Sequence, residues 1–419
     1  MTEQSEKFHP RYGKSFRCIG PACEDTCCHG WSIPVDKATY EKYQEFPEGD
    51  LRALTAQYVS INTVNASASL YAQISLTATK DCPFFTEERL CAVQNQHGAE
   101  YLSATCSIYP RVLNQAEGEL ELSLYLSCPE AARMVLLNPQ FSEIDSEEKP
   151  YFRTDQFSRL AGNGEGSIHK PYVYFHEVRE CMVALLRDRN RPLWQRVFLL
   201  GTLCQRLDEF KTAEQDQAVP QILADYRNIV SAGALRNEME SIPAQPAVQL
   251  DAVLRLADMR IREGASGERF QGCFQDFVKG VGYAPNLTAA DYALHYVEAE
   301  ARYSGPFFAT HPFILENYLL NYIFRTLFPF GREASAHHTP QSIFNEFILM
   351  AAQYAVIRGL LIGMAGHYRE AFGTEHIVKL VQSFSKAVEH SPSYLKKAGE
   401  FIRERNLHNH QGLVILLKV

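Results

Sequence analysis

The stretch Phe16-Arg-Cys-Ile-Gly-Pro-Ala-Cys-Glu-Asp-Thr-Cys-Cys-His-Gly-Trp31 carries four cysteines, Cys18, Cys23, Cys27 and Cys28, within eleven residues. Gly20, Pro21 and Gly30 interrupt any helical or strand period, so a tight loop is expected here. An irregular loop can wrap thiolates around a metal without obeying a helix or strand repeat. Cys82, Cys91, Cys106 and Cys128 follow, so eight of the eleven cysteines lie in the first 128 residues. That concentration predicts an N-terminal metal-binding module. Its expected ligands are Cys18, Cys23, Cys27, Cys28, Cys82, Cys91 and Cys106, with Cys128 left outside the set. Cys181, Cys204 and Cys273 stand in apolar or helical contexts and read as small buried hydrophobes.

A disulfide framework is the competing use of so many thiols. The N-terminus, MTEQSEKFHPRYGKSFR, is polar and lacks the apolar core of a secretory signal, so reducing cytoplasm is the expected setting. A chain of 419 residues also buries a core without covalent staples. With 46% apolar and 21% charged residues the composition is that of an ordinary globular protein. The net charge is −8, which argues against nucleic acid as a partner, because phosphate binding needs a basic surface. No transmembrane segment is expected: the longest apolar stretch, Ile343 to Met364, is broken by Asn345, Glu346, Gln353 and Arg358.

Working outward from the loop, Pro34 to Leu54 suits a helix with Asp36 as N-cap. Tyr71 to Ala78 reads as a strand, and Asp81 to Cys91 as a turn or hairpin with a thiol at each end. A helix starting near Glu100 is expected to deliver Cys106, and a strand Leu120 to Leu126 to end near Cys128. Asn138-Pro139, the acidic run Glu143 to Glu148 and the glycines 162, 164 and 166 are linker chemistry. No strand precedes those glycines, so they do not form a dinucleotide loop. From Tyr172 the apolar period is helical, giving about nine helices. They include segments beginning at Phe175, Leu193, Val248, Pro312, Ile343, Thr374 and Pro392. The expected fold is mainly α: a cysteine-rich metal-binding module with minor β structure over 1–135, a linker over 136–171, and an all-α helical body over 172–419.

Spacing does not choose between zinc and an iron–sulfur cluster, since both take thiolates in fours. The chain has no pair of Cys-x-x-Cys knuckles, and Gly30 stands where a radical S-adenosylmethionine motif needs its third cysteine. Cys82-Pro83 and Cys128-Pro129 resemble the Cys-Pro that closes bacterial ferredoxin motifs. His29 follows Cys28, but so many neighbouring thiols argue against a lone nucleophile there. His337 and His338 lie in a polar stretch and read as exposed loop.

Taken together, Phe16–Trp31, Cys82-Pro-Phe, Leu90-Cys91, Cys106-Ser-x-Tyr-Pro-Arg111 and Cys128-Pro resemble the bacterial flagellin lysine-N-methylase family. Glu316-Asn-Tyr-Leu-Leu-Asn-Tyr322 and Phe328-Pro-Phe-Gly331 extend the resemblance over nearly the whole chain. The first half is also similar to small proteins with a Cys-x2-Cys-x2-Cys-Cys metal-chelating module, though the spacing here is wider. The resemblance implies methyl transfer from S-adenosylmethionine to lysines of flagellin, with a [4Fe-4S] cluster on the N-terminal cysteines. The alternative is a non-catalytic zinc- or iron–sulfur-binding interaction protein. Glu24 and Asp25 are the carboxylates nearest the thiols and are candidates to attract a substrate lysine. Glu316 to Phe330, polar groups in an apolar helix, is the expected recognition groove.

Overall fold

The computed structural model describes residues 10–31, 33–63, 67–143, 153, 157–163, 167–264, 267–284, 287–333 and 341–419. The expectations for positions 144–148, Gly164, Gly166, His337 and His338 lie outside the described residues.

Ile343–Tyr368 is a single helix, buried on every face from Ile343 to Ala365. A helix apolar all round must lie inside a fold or a membrane. Among the described residues it is the one helix long and apolar enough to cross a membrane, and 89% of its most apolar window is buried inside the protein. The helices Leu193–Asp208, Gly267–Gly280 and Thr374–Val388 pack directly on it. At one crossing the backbones touch: a Cβ on Gly280 would overlap the carbonyl oxygen of Gly363, so only glycine allows that approach.

Among the described residues, six short strands form two small sheets. β1 (Ile33–Val35), β2 (Val59–Ile61) and β3 (Ala72–Ile74) are antiparallel in the order β1-β3-β2, with Ile33 and Val59 both opposite Ile74. β4 (Arg111–Ala116) and β5 (Glu119–Leu124) make a hairpin. Glu117 and Gly118 both take positive φ at its tip (48° and 89°), the conformation whose twist suits a two-residue hairpin turn. β6 (Ser158–Arg159) adds to β4 in parallel.

Several expectations shift at this level. The helix read over Pro34–Leu54 is two, Lys37–Gln44 and Asp50–Tyr58, interrupted around Pro47, whose ring removes a backbone donor. Asp36 caps the first of them as expected, accepting from Thr39 N at 3.0 Å. β4 was not expected: Asn114 and Gln115 obscure its alternation. Asn114 is buried because its amide donates to the carbonyls of Phe324 and Arg325, each at 3.1 Å. Thr374 begins its helix but does not cap it; Gly373 holds that position. The body also has more helices than the sequence suggested, His410–Leu417 among them, whose unbroken Leu-Val-Ile-Leu-Leu run hides any period.

The apolar packing divides the chain at a different place from the boundary read at 135. A small core gathers Ile33, Val35, Tyr43, Phe46, Ile74, Phe84 and Leu102. The large core holds the helical body and also Tyr12, Phe16, Leu124, Leu126, Val135 and Phe141. The stretch read as linker contributes β6, and Ala161 N donates to Gly331 O at 3.1 Å. The β4–β5 hairpin therefore belongs to the body's core, tied by the buried pair Glu121–Arg179, whose two hydrogen bonds are 2.6 and 2.8 Å long.

Candidate metal centre and adjoining cavities

The small core presents thiols from four places. Cys27 and Cys28 come from the loop, which is pinned to the next turn by Cys82 N donating to Cys28 O at 2.7 Å. Trp31 Nε1 donates to Cys27 O at 2.7 Å, folding the loop back on itself. Cys82 and Cys91 flank a turn closed by the isolated bridge Phe85–Cys91, the thiol-ended hairpin that the sequence suggested. Cys106 sits on the short helix Ala104–Ile108, capped by Ser103. Cys28, Cys82, Cys91 and Cys106 all belong to or pack against the small core.

These five thiols perturb one another. Burial pushes Cys82 up to about 11 and Cys106 up to about 12, and the charges of Cys91 and Cys27 add to both shifts. Cys27 and Cys28 share a hydrogen bond, which brings Cys27 down to about 7 against its burial and pushes Cys28 up. The ammonium of Lys386 also favours the Cys27 thiolate. Cys18, Cys23 and Cys128 form a second group: the Cys128 thiol is raised to about 12, first by burial and then by Cys23 and Cys18. Cys128, outside the expected ligand set, thus lies with Cys18 and Cys23, two of its expected members. Among the described residues, all eleven cysteines are free thiols, and no group of three or more His, Cys, Asp or Glu side chains is placed to hold a metal ion. Cys181, Cys204 and Cys273 are buried in the large core, as small hydrophobes are.

Two of the thiols stand at helix starts. Cys91 is N-cap of Ala92–His97 and Cys128 is N-cap of Pro129–Leu136. Free amides there favour a thiolate, and both groups are lowered by such backbone contacts even though burial prevails. Cys128-Pro129 is a helix start with proline at its first position.

The two carboxylates of the loop are occupied. Glu24 pairs with Arg133 at 2.7 Å, and Asp25 pairs with Lys386 at 2.9 Å and accepts from Gln382 at 2.8 Å. They anchor the loop to the helices Pro129–Leu136 and Thr374–Val388. Nothing in the spacing near Cys27 signals these partners, which lie more than 100 residues away along the chain.

The segment beginning at Glu316 is also largely committed. Glu316 accepts from Arg189 at 2.9 and 3.0 Å and from Arg196 at 2.7 Å. Asn317 donates to the carbonyls of Val135 and Asn138, and Asn321 to Leu124 O, docking this helix on the N-terminal third. Tyr318 is buried, and its hydroxyl has no partner among the described residues. The Arg189–Glu316 pair borders a cavity of about 460 Å³ with Gln140, Ser142 and Arg187. Arg189 and Arg196 also line a second cavity of about 380 Å³.

Residues 179–416 match the family described as "FliB lysine N-methylase C-terminal domain". The chain belongs to the FliB lysine N-methylase family. Its curated relatives include the "Flagellar biosynthetic protein FliU" of Salmonella muenchen, 36% identical over 145 residues. This match covers 34% of the FliB-family chain and 84% of FliU. The "Lysine-N-methylase" of Salmonella typhimurium is 37% identical over 131 residues, and that of Salmonella choleraesuis is equally similar. These two matches cover 31% of the chain and only 32% of each lysine-N-methylase. No solved structure matches.

In this FliB-family chain His29, which follows Cys28, is engaged: its Nδ1 lies 2.8 Å from Asp81.

Proposed function

We propose that this chain is a protein lysine N-methyltransferase that takes its methyl group from S-adenosylmethionine and acts on flagellin in the cytoplasm. In this reading the N-terminal thiols hold a [4Fe-4S] cluster. The observation that carries it is the meeting of Cys27, Cys28, Cys82, Cys91 and Cys106 in a chain of the FliB family. When bound, the cluster supplies iron sites whose Lewis acidity and potential the surrounding protein tunes. The chain's own part is to hold the thiols: Lys386, Gln382 and Arg133 brace the loop from the helical body. A lysine ammonium, with a pKa of about 10.4, has no lone pair at neutral pH, so the acceptor must lose a proton before or during transfer.

Flagellin expressed with and without this chain tests the reading. Methylated lysines appearing only in its presence, by mass spectrometry, are the expected result. Protein purified without oxygen is expected to be brown and to carry about four irons with matching sulfide. Unmodified flagellin beside a colourless zinc protein would instead assign the chain to the metal-binding interaction proteins.

A further inference from the structure

Three side chains from distant parts of the chain line up beside the thiols. Tyr109 is the C-cap of the short helix that carries Cys106. Tyr125 N donates to Pro110 O at 2.8 Å, which draws the segment after β5, and with it Ser127, alongside Tyr109. Gln382 donates to Ser127 O at 2.9 Å and holds the helix Thr374–Val388 against the same turn, so His390, just past the end of that helix, arrives there too. The result is a continuous row. Tyr109 Oη lies 3.1 Å from Ser127 Oγ, and Ser127 Oγ lies 3.3 Å from His390 Nε2.

The row runs from the thiols outward. Tyr109 is half-buried, with the Trp31 ring 6.2 Å away, and Trp31 is itself tied to Cys27 O. Ser127 is buried and His390 is exposed. A buried hydroxyl needs one partner, and a backbone carbonyl would serve; a serine leading on to a surface histidine goes beyond that need. Burial, followed by the charge of Cys128, holds the Tyr109 pKa well above the ordinary value. It therefore stays a phenol, which passes a proton on rather than keeping a negative charge. The His390 ring packs on Tyr125, with centroids 4.8 Å apart. Burial, opposed by Glu389 and helped by Arg325, holds its pKa below the usual histidine value. At pH 7 the imidazole is neutral and can accept a proton.

We propose that Tyr109, Ser127 and His390 form the proton path by which the acceptor lysine loses its proton to solvent, with Tyr109 as the group that meets the ammonium. The proposal rests on the lysine-methylation reading given above and supplies the proton acceptor that this reading requires. In the step one N–H bond of the ammonium breaks and its proton joins Tyr109 Oη. The tyrosine proton passes to Ser127 Oγ and the serine proton to His390 Nε2. The imidazolium releases a proton to water from Nδ1, and the electron pair left on the lysine nitrogen takes the methyl group. One proton leaves for solvent, and the path itself is neither oxidised nor reduced.

Rates of flagellin methylation by the full chain, followed by mass spectrometry across pH, test it. At pH 7 His390→Ala is expected to be at least about tenfold slower than wild type. Imidazole added to the solution should restore most of that loss, because a mobile base replaces the one removed. Ser127→Ala keeps the backbone oxygen that Gln382 binds; it should be as slow and gain nothing from imidazole, since its break lies inside the protein. The wild-type rate should fall as pH drops through the His390 pKa, and His390→Ala should lose that fall. Iron content and melting should stay as in the wild type, and if Ser127→Ala melts early the imidazole rescue of His390→Ala still decides. Wild-type rates in both variants, or a loss in His390→Ala that imidazole does not restore, overturn the path and leave the methyltransferase reading standing. A wild type that methylates no flagellin overturns both.

Discussion

Lys386 closes on Asp25 with its Nζ 3.0 and 2.9 Å from the two carboxylate oxygens, and donates to Thr26 O at 3.0 Å. A residue in the C-terminal part of the body thus fixes the backbone just before Cys27. Lys386→Met leaves Asp25 half-buried without its counter-charge and is expected to cost about 1–3 kcal/mol of stability. It should also speed the loss of iron to a chelator. Urea melts and chelator-challenge rates check both effects; a variant that melts and holds iron like wild type would remove the clamp from the account.

The thiols separate by environment. Cys27→Ser and Cys106→Ser are each expected to lose most iron and sulfide together, because serine is a poor ligand for iron. Cys181→Ala, in the large core, should keep the full complement and lose only packing, at about 1 kcal/mol. Metal analysis of anaerobically purified variants decides. Full iron in Cys106→Ser would take that residue out of the ligand set.

Acid should loosen the module through Asp36. Burial alone raises this carboxyl, but hydrogen bonds from Arg153, Thr39 and Ala104 outweigh it and hold its pKa below the ordinary value. A carboxyl lowered in the folded state contributes stability above its unfolded pKa, about 3.9, and the contribution is lost as pH falls through the folded value. Denaturation midpoints should therefore drop below about pH 4. Asp36→Asn should be less stable at neutral pH and flatter over that range. An unchanged acid limb in Asp36→Asn would assign the loss to other groups.

Within the helix Phe313–Thr326, neighbouring polar residues should behave oppositely. Glu316→Gln leaves Arg196 buried with an unpaired charge and is expected to destabilise by about 3–5 kcal/mol. Tyr318→Phe removes a hydroxyl that has no partner among the described residues, so stability should hold or rise slightly. Thermal melts of the two variants test the contrast. A large loss from Tyr318→Phe would point to a partner for that hydroxyl.

Much of the local structure was legible from residue type. The interrupted cysteine loop, the Asp36 cap and the thiol-ended turn at Cys82–Cys91 follow from proline, glycine and capping chemistry within a few residues. The apolar helix Ile343–Tyr368 follows in the same way. β4 was not legible, because the buried Asn114 finds its partners on Phe324 and Arg325, some 210 residues on. The same holds for Glu24 and Asp25, which look free in sequence and are neutralised by Arg133 and Lys386.

By itself the sequence determined the mainly helical class, the concentration of thiols and the resemblance to flagellin lysine-N-methylases, all of which depend on residue type and near spacing. Only the tertiary structure decided that Cys128 lies with Cys18 and Cys23, and that the β4–β5 hairpin belongs to the body's core. The physical reason is range. Periodicity and capping act over a few residues, whereas burial and ion pairing depend on which distant segments meet, as Lys386 meets Asp25 across 361 positions of the chain.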